Sequence, residues 1–330
     1  VALWVYNGAA SHLLQIRKTP PVNQTLRGAL FGISASAIWG GLFVLSDEVL
    51  RFIPPFTLMM IRLLMGAGLF GVILRAQRRL RLPLRSALPL MGVGIIGYGV
   101  GVGAQFVGID LSTGANGSVI TSAAPVFTVL LAWRILHEPL PPLRIVAVAL
   151  TMIGVMIVVD VTKFSLSSQT AVGDLFLVVA GVLWGLYSVL VRRYASMHDT
   201  LVITFYALVG ALLVMIPAAA VFEWPRFVMP QITPELVLAI LYLGFVAMAF
   251  AGWLWNRAFA LVEASVASLF LFAQPLVGVL LSNWLLRQPV TPNLLIGGGL
   301  IGLGVILSLT GEGQTAPAPQ DSATPADEAV

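Results

Sequence analysis

The sequence predicts an all-α integral membrane protein of ten transmembrane helices, arranged as two five-helix repeats of inverted topology. Three observations carry the prediction. The composition is too apolar for a soluble fold, ten apolar runs have the length of a membrane span, and spaced motifs from the first half recur in the second.

Hydrophobic residues make up 58% of the 330 positions and charged residues 10%, with a mean hydropathy of +0.97. Soluble domains are about 45–50% apolar and about 25% charged. A single soluble core of this size has no means of burying that much apolar surface, so lipid is the expected partner. The chain has no cysteine, which excludes disulfides and thiolate metal sites. A net charge of +4 would by itself suit nucleic acid, but the placement of the charges along the chain decides otherwise.

About 20 mostly apolar residues are needed for a helix to cross the hydrocarbon core. The runs are Gly28–Ser46, Pro55–Leu74, Leu88–Ile109, Ser112–Trp133, Leu143–Val159, Asp174–Val191, Leu201–Phe222, Glu235–Ala258, Ala264–Leu285 and Asn293–Leu309. Barrel strands are shorter and alternate in polarity. These runs are continuously apolar, so the spanning elements are helices.

Residues 1–26 form an N-terminal extension, either simply upstream sequence or a helix lying on the membrane surface. Its apolar stretch is broken by Asn7, His12, Arg17 and Lys18, unlike the core of a signal peptide. Residues 311–330 are rich in Pro, Ala, Thr, Asp and Glu and read as a disordered tail. Basic residues set the orientation. With the N-terminus inside, inner segments hold Arg17, Lys18, Arg27, the run Arg75, Arg78, Arg79, Arg81 and Arg85, then Arg134, Arg144, Arg192, Arg193 and Arg257. Outer segments hold Arg51, Lys163, Arg226 and Arg287. Both termini are therefore expected in the cytoplasm. The basic residues mark a membrane face, and no nucleic-acid partner is implied.

Gly28-Ala-Leu-Phe31 followed by Trp39-Gly40 recurs as Gly173-Asp-Leu-Phe176 followed by Trp184-Gly185, at equal spacing. Ala124-Pro125 leads to Glu138-Pro139 as Gln274-Pro275 leads to Gln288-Pro289, and Pro142 with Gly154-Val155 matches Pro292 with Gly304-Val305. The predicted organisation is a first repeat over 27–160, an external linker over 161–172 and a second repeat over 173–310. Five spans per repeat is an odd number, so the second copy starts from the opposite side of the membrane. Inverted repeats of this kind characterise many secondary transporters.

Ile38-Trp39-Gly40, Pro54-Pro-Phe-Thr-Leu58 with Arg62, and Ala124-Pro-Val-Phe-Thr-Val-Leu-Leu-Ala-Trp133 ending in His137-Glu-Pro-Leu140 resemble the EamA-type drug/metabolite transporter superfamily. The resemblance covers about 27 to 310. It implies a fold of ten helices in two inverted repeats and substrates among amino acids, other metabolites and drugs. Distant relatives carry sugar phosphates and nucleotide sugars. Within the superfamily the general similarity is to a bacterial amino-acid exporter, which implies a bacterial inner (plasma) membrane. One departure stands out: the acidic residue at Glu138 has Gln288 as its counterpart.

Trp39 and Trp184 fall near the middle of their spans, whereas membrane tryptophans favour the headgroup region. A repeat-related indole pair at mid-depth suits either the wall of a polar, partly wet cavity or close packing on a neighbouring glycine. Tyr98 and Gln105 share a face of the third span. Thr113 and Asn116 lie at helical spacing on the fourth, Tyr187 follows Trp184 by a turn, Trp253 and Asn256 are a turn apart, and Ser268 and Gln274 lie on the ninth. Such neutral hydrogen-bonding and aromatic groups suit a zwitterionic or amphiphilic solute, and each alone suits interhelical bonding. Arg62 is a basic residue well inside a span, about 9 Å from its outer end by helical rise. It either binds a substrate anion or holds backbone carbonyls.

No carboxylate falls in mid-span. Proton-coupled carriers usually embed one, which favours a facilitator or coupling through the solute. Gly92, Gly94 and Gly97 match a dinucleotide fingerprint, but no strand precedes them; in a span they read as a packing face. Asn116-Gly-Ser118 matches a glycosylation sequon within the fourth span. No metal cluster, nucleophile or nucleotide loop appears, so no cofactor or metal is expected and no enzyme activity. The expected partners are a small-molecule substrate and the lipid bilayer, and a monomer is compatible with the sequence. The leading functional expectation is export or facilitated movement of amino acids and related metabolites by alternating access. The alternatives are an antiporter of phosphorylated or nucleotide-linked solutes and, in another class, a membrane enzyme or assembly factor on the same scaffold.

Overall fold

A computed structural model describes residues 22–112, 120–121, 123–159, 170–226, 232–274, 276–277, 280 and 292–311. Among them there are helices and no strand. The segments are α1 (Val22–Leu50), α2 (Pro55–Ala76), α3 (Leu84–Leu111), α4 (Ala124–Leu136), α5 (Pro142–Val159), α6 (Ala171–Tyr194), α7 (Thr200–Glu223), α8 (Pro234–Leu261), α9 (264–272) and α10 (Pro292–Gly311). By length and composition five of them, α2, α3, α6, α7 and α8, suffice to cross a membrane. Shorter apolar helices cover Ala124–Leu136, Pro142–Ile157 and Leu295–Leu309. The expected fourth and ninth spans fall partly on 113–119 and 281–291, outside the described residues.

Local chemistry starts and interrupts these helices. Pro55 and Pro234 stand at first helical positions, where a missing N–H costs nothing and φ is already helical. Asp199 caps α7 by accepting from Leu201 N at 2.9 Å, and Thr233 caps α8 through Leu236 N at 3.3 Å. α3 and α8, each 28 residues long, contain π-helical stretches over Ile95–Gly101 and Tyr242–Phe250. Such insertions concentrate at functional sites.

The packing is paired. α1 lies on α8 and α6 on α3; α2 lies on α8 and α7 on α3; α4 lies on α6 and α9 on α1. α2 packs with α7, α4 with α9 and α5 with α10. Exchanging each segment for the one five places along maps these nine pairings onto one another, while α6 with α8, α7 with α8 and α5 with α9 also pack, outside that correspondence. The central core combines both halves, with Leu63, Phe70 and Leu90 from the first and Ile203, Met215 and Phe259 from the second. Lipid offers no hydrophobic drive for helix association, so close packing and interhelical hydrogen bonds hold such an arrangement together.

Candidate functional site

Five aromatic side chains meet where α1, α3, α6 and α8 converge. Trp39 and Trp184 are in edge contact with centroids 5.8 Å apart. Trp255 lies 5.3 Å from Trp39, Tyr98 lies 5.6 Å from Trp184 and 5.1 Å from Tyr187, and Trp184 stacks on Tyr187 at 5.2 Å. Tilted and edge contacts of this kind suit the ring quadrupoles. Gly97, in the π-helical stretch of α3, makes the approach possible: a Cβ there would fall 2.6 Å from the Tyr187 ring. The five rings pack on one another in this structure.

Polar groups thread this centre. Trp39 Nε1 donates to Ala247 O at 2.8 Å, and Arg62 Nε donates to Leu243 O at 3.3 Å. Both carbonyls lie one turn apart in the π-helical stretch of α8, and both donors come from the first half. Tyr187 OH donates to Asn256 Oδ1 at 2.8 Å, Asn256 Nδ2 to Thr204 Oγ1 at 2.9 Å, and Thr204 Oγ1 to Thr200 O at 2.6 Å. Asn256 and Tyr187 are fully buried, where an unmade hydrogen bond costs about 1–3 kcal/mol, so the chain of bonds fixes both side chains.

Two carboxylates clamp helix N-termini across the halves. Glu223 of α7 accepts from Phe56 N, Thr57 N and Thr57 Oγ1, each at 2.7 Å. Glu138, beyond α4, accepts from Ala264 N at 2.7 Å, Ser265 N at 2.9 Å and Ser265 Oγ at 2.7 Å. The two constellations use the same atoms at opposite ends of the bundle. In each, a carboxylate meets the positive end of a helix and satisfies N–H groups left free there. The Glu138 clamp is reinforced. Arg144 donates to Ser265 Oγ at 2.8 Å and pairs with Glu263 at 2.6 Å.

Of the residues singled out by sequence, the structure assembles Trp39, Tyr98, Trp184, Tyr187 and Asn256. Trp253 contacts Phe31 and Phe250 instead, with centroids at 6.2 Å, although it lies one helical turn before Asn256. Gln105 and Gln274 are half-buried and make no hydrogen bond to the cluster among the described residues. Ser268 Oγ turns back to Ser265 O at 3.0 Å. Thr113 and Asn116 lie outside the described residues. Trp255, Thr204 and the Glu223 clamp were not singled out. Trp255 was detectable as a second mid-span indole in Trp253-Leu-Trp-Asn256; the clamp joins residues 166 and 167 positions apart and has no local signature.

The family model for EamA-like transporters matches twice, over residues 26–160 and 171–310. The chain belongs to the EamA-like transporter family. It is a membrane transporter, and both matched stretches contribute to the aromatic centre. Curated relatives include an uncharacterized transporter of Archaeoglobus fulgidus, 27% identical over 273 residues, covering 82% of this chain and 93% of the relative. The uncharacterized transporter YoaV of Bacillus subtilis is 24% identical over 284 residues, covering 84% and 94%. A solved crystal structure superposes with a TM-score of 0.75 at 21% identity, covering 87% of this chain and 98% of the other; at that identity it speaks for the fold alone. These names describe transporters, and none states a substrate.

Proposed function

We propose that this EamA-family member is a secondary transporter that exports, or passively conducts, neutral and aromatic amino acids and related small metabolites by alternating access. In this reading the fold is ten spans in two inverted five-helix repeats, 27–160 and 173–310, in a bacterial inner membrane with both termini cytoplasmic. The residues contacting substrate are Trp39, Tyr98, Trp184, Tyr187 and Asn256. One observation carries the proposal: Trp39 and Trp184, counterparts by motif, touch each other at 5.8 Å. Residues related by a pseudo-two-fold axis meet only beside that axis, and a site shared between rocking halves belongs there. General similarity to the bacterial amino-acid exporter YddG supports the substrate class. Arg62 bonds a backbone carbonyl, which leaves phosphorylated solutes without the paired cations their recognition calls for.

Uptake and counterflow in proteoliposomes across a panel of amino acids, with and without a pH gradient, test the proposal. Transport of neutral or aromatic members is expected, with little effect of the gradient. Failure of every member removes the amino-acid reading, and a large gradient effect removes the facilitator reading. Trp39→Ala and Trp184→Ala are expected to lower transport by about tenfold or more, the equivalent of about 1.4 kcal/mol or more. Unchanged transport in both would make them packing residues.

A further inference from the structure

A cavity of about 320 Å³ lies away from the aromatic centre, between the C-terminal end of α2, the N-terminus of α7 and the last turns of α8. Gln77, Arg79, Asp199, Thr200, Trp253 and Arg257 line it. It stands at the end of the bundle that holds the Glu138 clamp. Its volume is at the small end of ligand pockets, about 300–1,000 Å³, which suits one small solute.

The polar lining is only partly engaged. Arg79 Nη2 is 3.8 Å from Asp199 Oδ2, with both side chains substantially exposed; such a pair is worth at most about 1 kcal/mol and exchanges partners readily. Asp199 Oδ1 is committed to capping α7. Arg257 makes no hydrogen bond or ion pair among the described residues, although its Nε is shut off from solvent. A guanidinium without a partner beside a cavity is costly, and a ligand that pairs with its reachable N–H groups recovers part of that cost. Trp253 adds an indole to the wall.

We propose that this cavity is a vestibular binding site for a zwitterionic α-amino acid. The proposal rests on the amino-acid reading above and adds a second site to it. The substrate carboxylate pairs with the Arg257 guanidinium. The ammonium takes Asp199 Oδ2 in place of Arg79, and the side chain lies along Trp253. The charges select the class. A phosphorylated dianion meets Asp199, and a simple amine meets two guanidinium groups; a zwitterion satisfies both signs. A charge-assisted bond is about twice as strong as a neutral one, so each end of the zwitterion contributes to selection.

The full-length protein in nanodiscs tests this by equilibrium binding of radiolabelled L-phenylalanine, with phenethylamine and 3-phenylpropionate as competitors that each lack one charge. Wild type is expected to prefer phenylalanine to both. Arg257→Gln should weaken phenylalanine by about tenfold while phenethylamine holds or tightens, with Arg257→Lys in between. Asp199→Asn keeps a good helix cap and should weaken phenylalanine similarly while 3-phenylpropionate holds or tightens. Thermal melting monitors folding of each variant. Phenylalanine binding and uptake that change less than about twofold in both variants overturn the vestibular site and leave the amino-acid transport reading standing. Binding with the expected signatures but no uptake keeps the site and removes that reading. No binding of phenylalanine by wild type overturns the site, and a response to Arg257 substitution without one to Asp199 substitution overturns the zwitterion assignment.

Discussion

The crossing of α3 with α7 and the crossing of α2 with α8 hold corresponding places in the two halves, yet they are built from different parts. Gly94 in α3 and Gly244 in α8 stand at the same distance from the start of two 28-residue helices. Counted from Pro55 and Thr200, Arg62 and Met65 of α2 correspond to Ala207 and Gly210 of α7. At the α3–α7 crossing a Cβ on Gly94 would fall 1.8 Å from Ala207 O, and one on Gly210 would fall 2.1 Å from Met91 O. Backbone lies on backbone. At the α2–α8 crossing a Cβ on Gly244 would meet Met65 Sδ at 2.5 Å, and Arg62 reaches Leu243 O. There two long side chains hold the backbones apart.

The difference teaches which contact is rigid. Small residues let membrane helices approach closely, and such an interface has no side-chain freedom to absorb a shift. Methionine is unbranched and refits irregular gaps. In the proposed alternating-access reading, rocking of the halves is therefore easier at α2–α8, with α3–α7 as the pivot. Arg62 then has a mechanical explanation. It sits where the other half has Ala207, and it spaces the looser crossing while satisfying a carbonyl in a π-helical stretch.

The largest expected effect is at the pivot. Gly94→Ala places a methyl inside backbone atoms of α7, which cannot rotate away. Overpacking ordinarily costs about 1–3 kcal/mol, and contact with backbone puts this case at or above the top of that range. Loss of monodisperse protein in size-exclusion chromatography is the expected outcome. A Gly94→Ala protein that purifies and transports normally would show that the crossing is not tight.

These pairings show what was legible beforehand. The positions of the five long helices were, because an apolar run marks a helix core: Pro55–Leu74 lies within Pro55–Ala76 and Leu88–Ile109 within Leu84–Leu111. Ends were less so. α1 begins at Val22 rather than Gly28, since a helix continues through polar flanking residues that carry no hydropathy signal. Trp39 and Trp184 were legible as a pair through their repeated motif. Their contact with Trp255, the Asn256–Thr204 bond and the two carboxylate clamps were not, because each depends on which helices become neighbours. Arg62 was visible as an in-span charge, but its partner, Leu243 O, is backbone and leaves no trace in residue type.

An intermediate effect is expected at Arg62. Arg62→Met keeps the length of the spacer and removes its hydrogen bond to Leu243. Hydrogen bonds from charged groups contribute about 1.5–3 kcal/mol in soluble proteins and interhelical bonds in membranes average about 0.6 kcal/mol, so a loss of about 1–2 kcal/mol is expected. It should appear as a lower melting temperature in detergent with KM for amino acids nearly unchanged. The opposite pattern, normal melting with KM raised tenfold, would transfer Arg62 from spacer to substrate ligand and dissolve the mechanical contrast between the crossings.

The smallest effect belongs to Gly244→Ala, the counterpart of the most damaging substitution. The closest atoms to the added methyl are Met65 Sδ and Cε, with Met65 Cβ at 3.0 Å, and the sulfur and terminal methyl have three rotatable bonds with which to withdraw. A cost of about 1 kcal/mol or less is expected, at the low end for overpacking, with folded protein and measurable transport retained. Paired melting curves of Gly94→Ala and Gly244→Ala thus compare the same chemical change at equivalent positions. If Gly244→Ala is as damaging as Gly94→Ala, the two crossings are equally rigid, and the asymmetry of Arg62 and Met65 has no mechanical meaning. If only the first is damaging, the rigid pivot and the adjustable joint are distinguished by one methyl group.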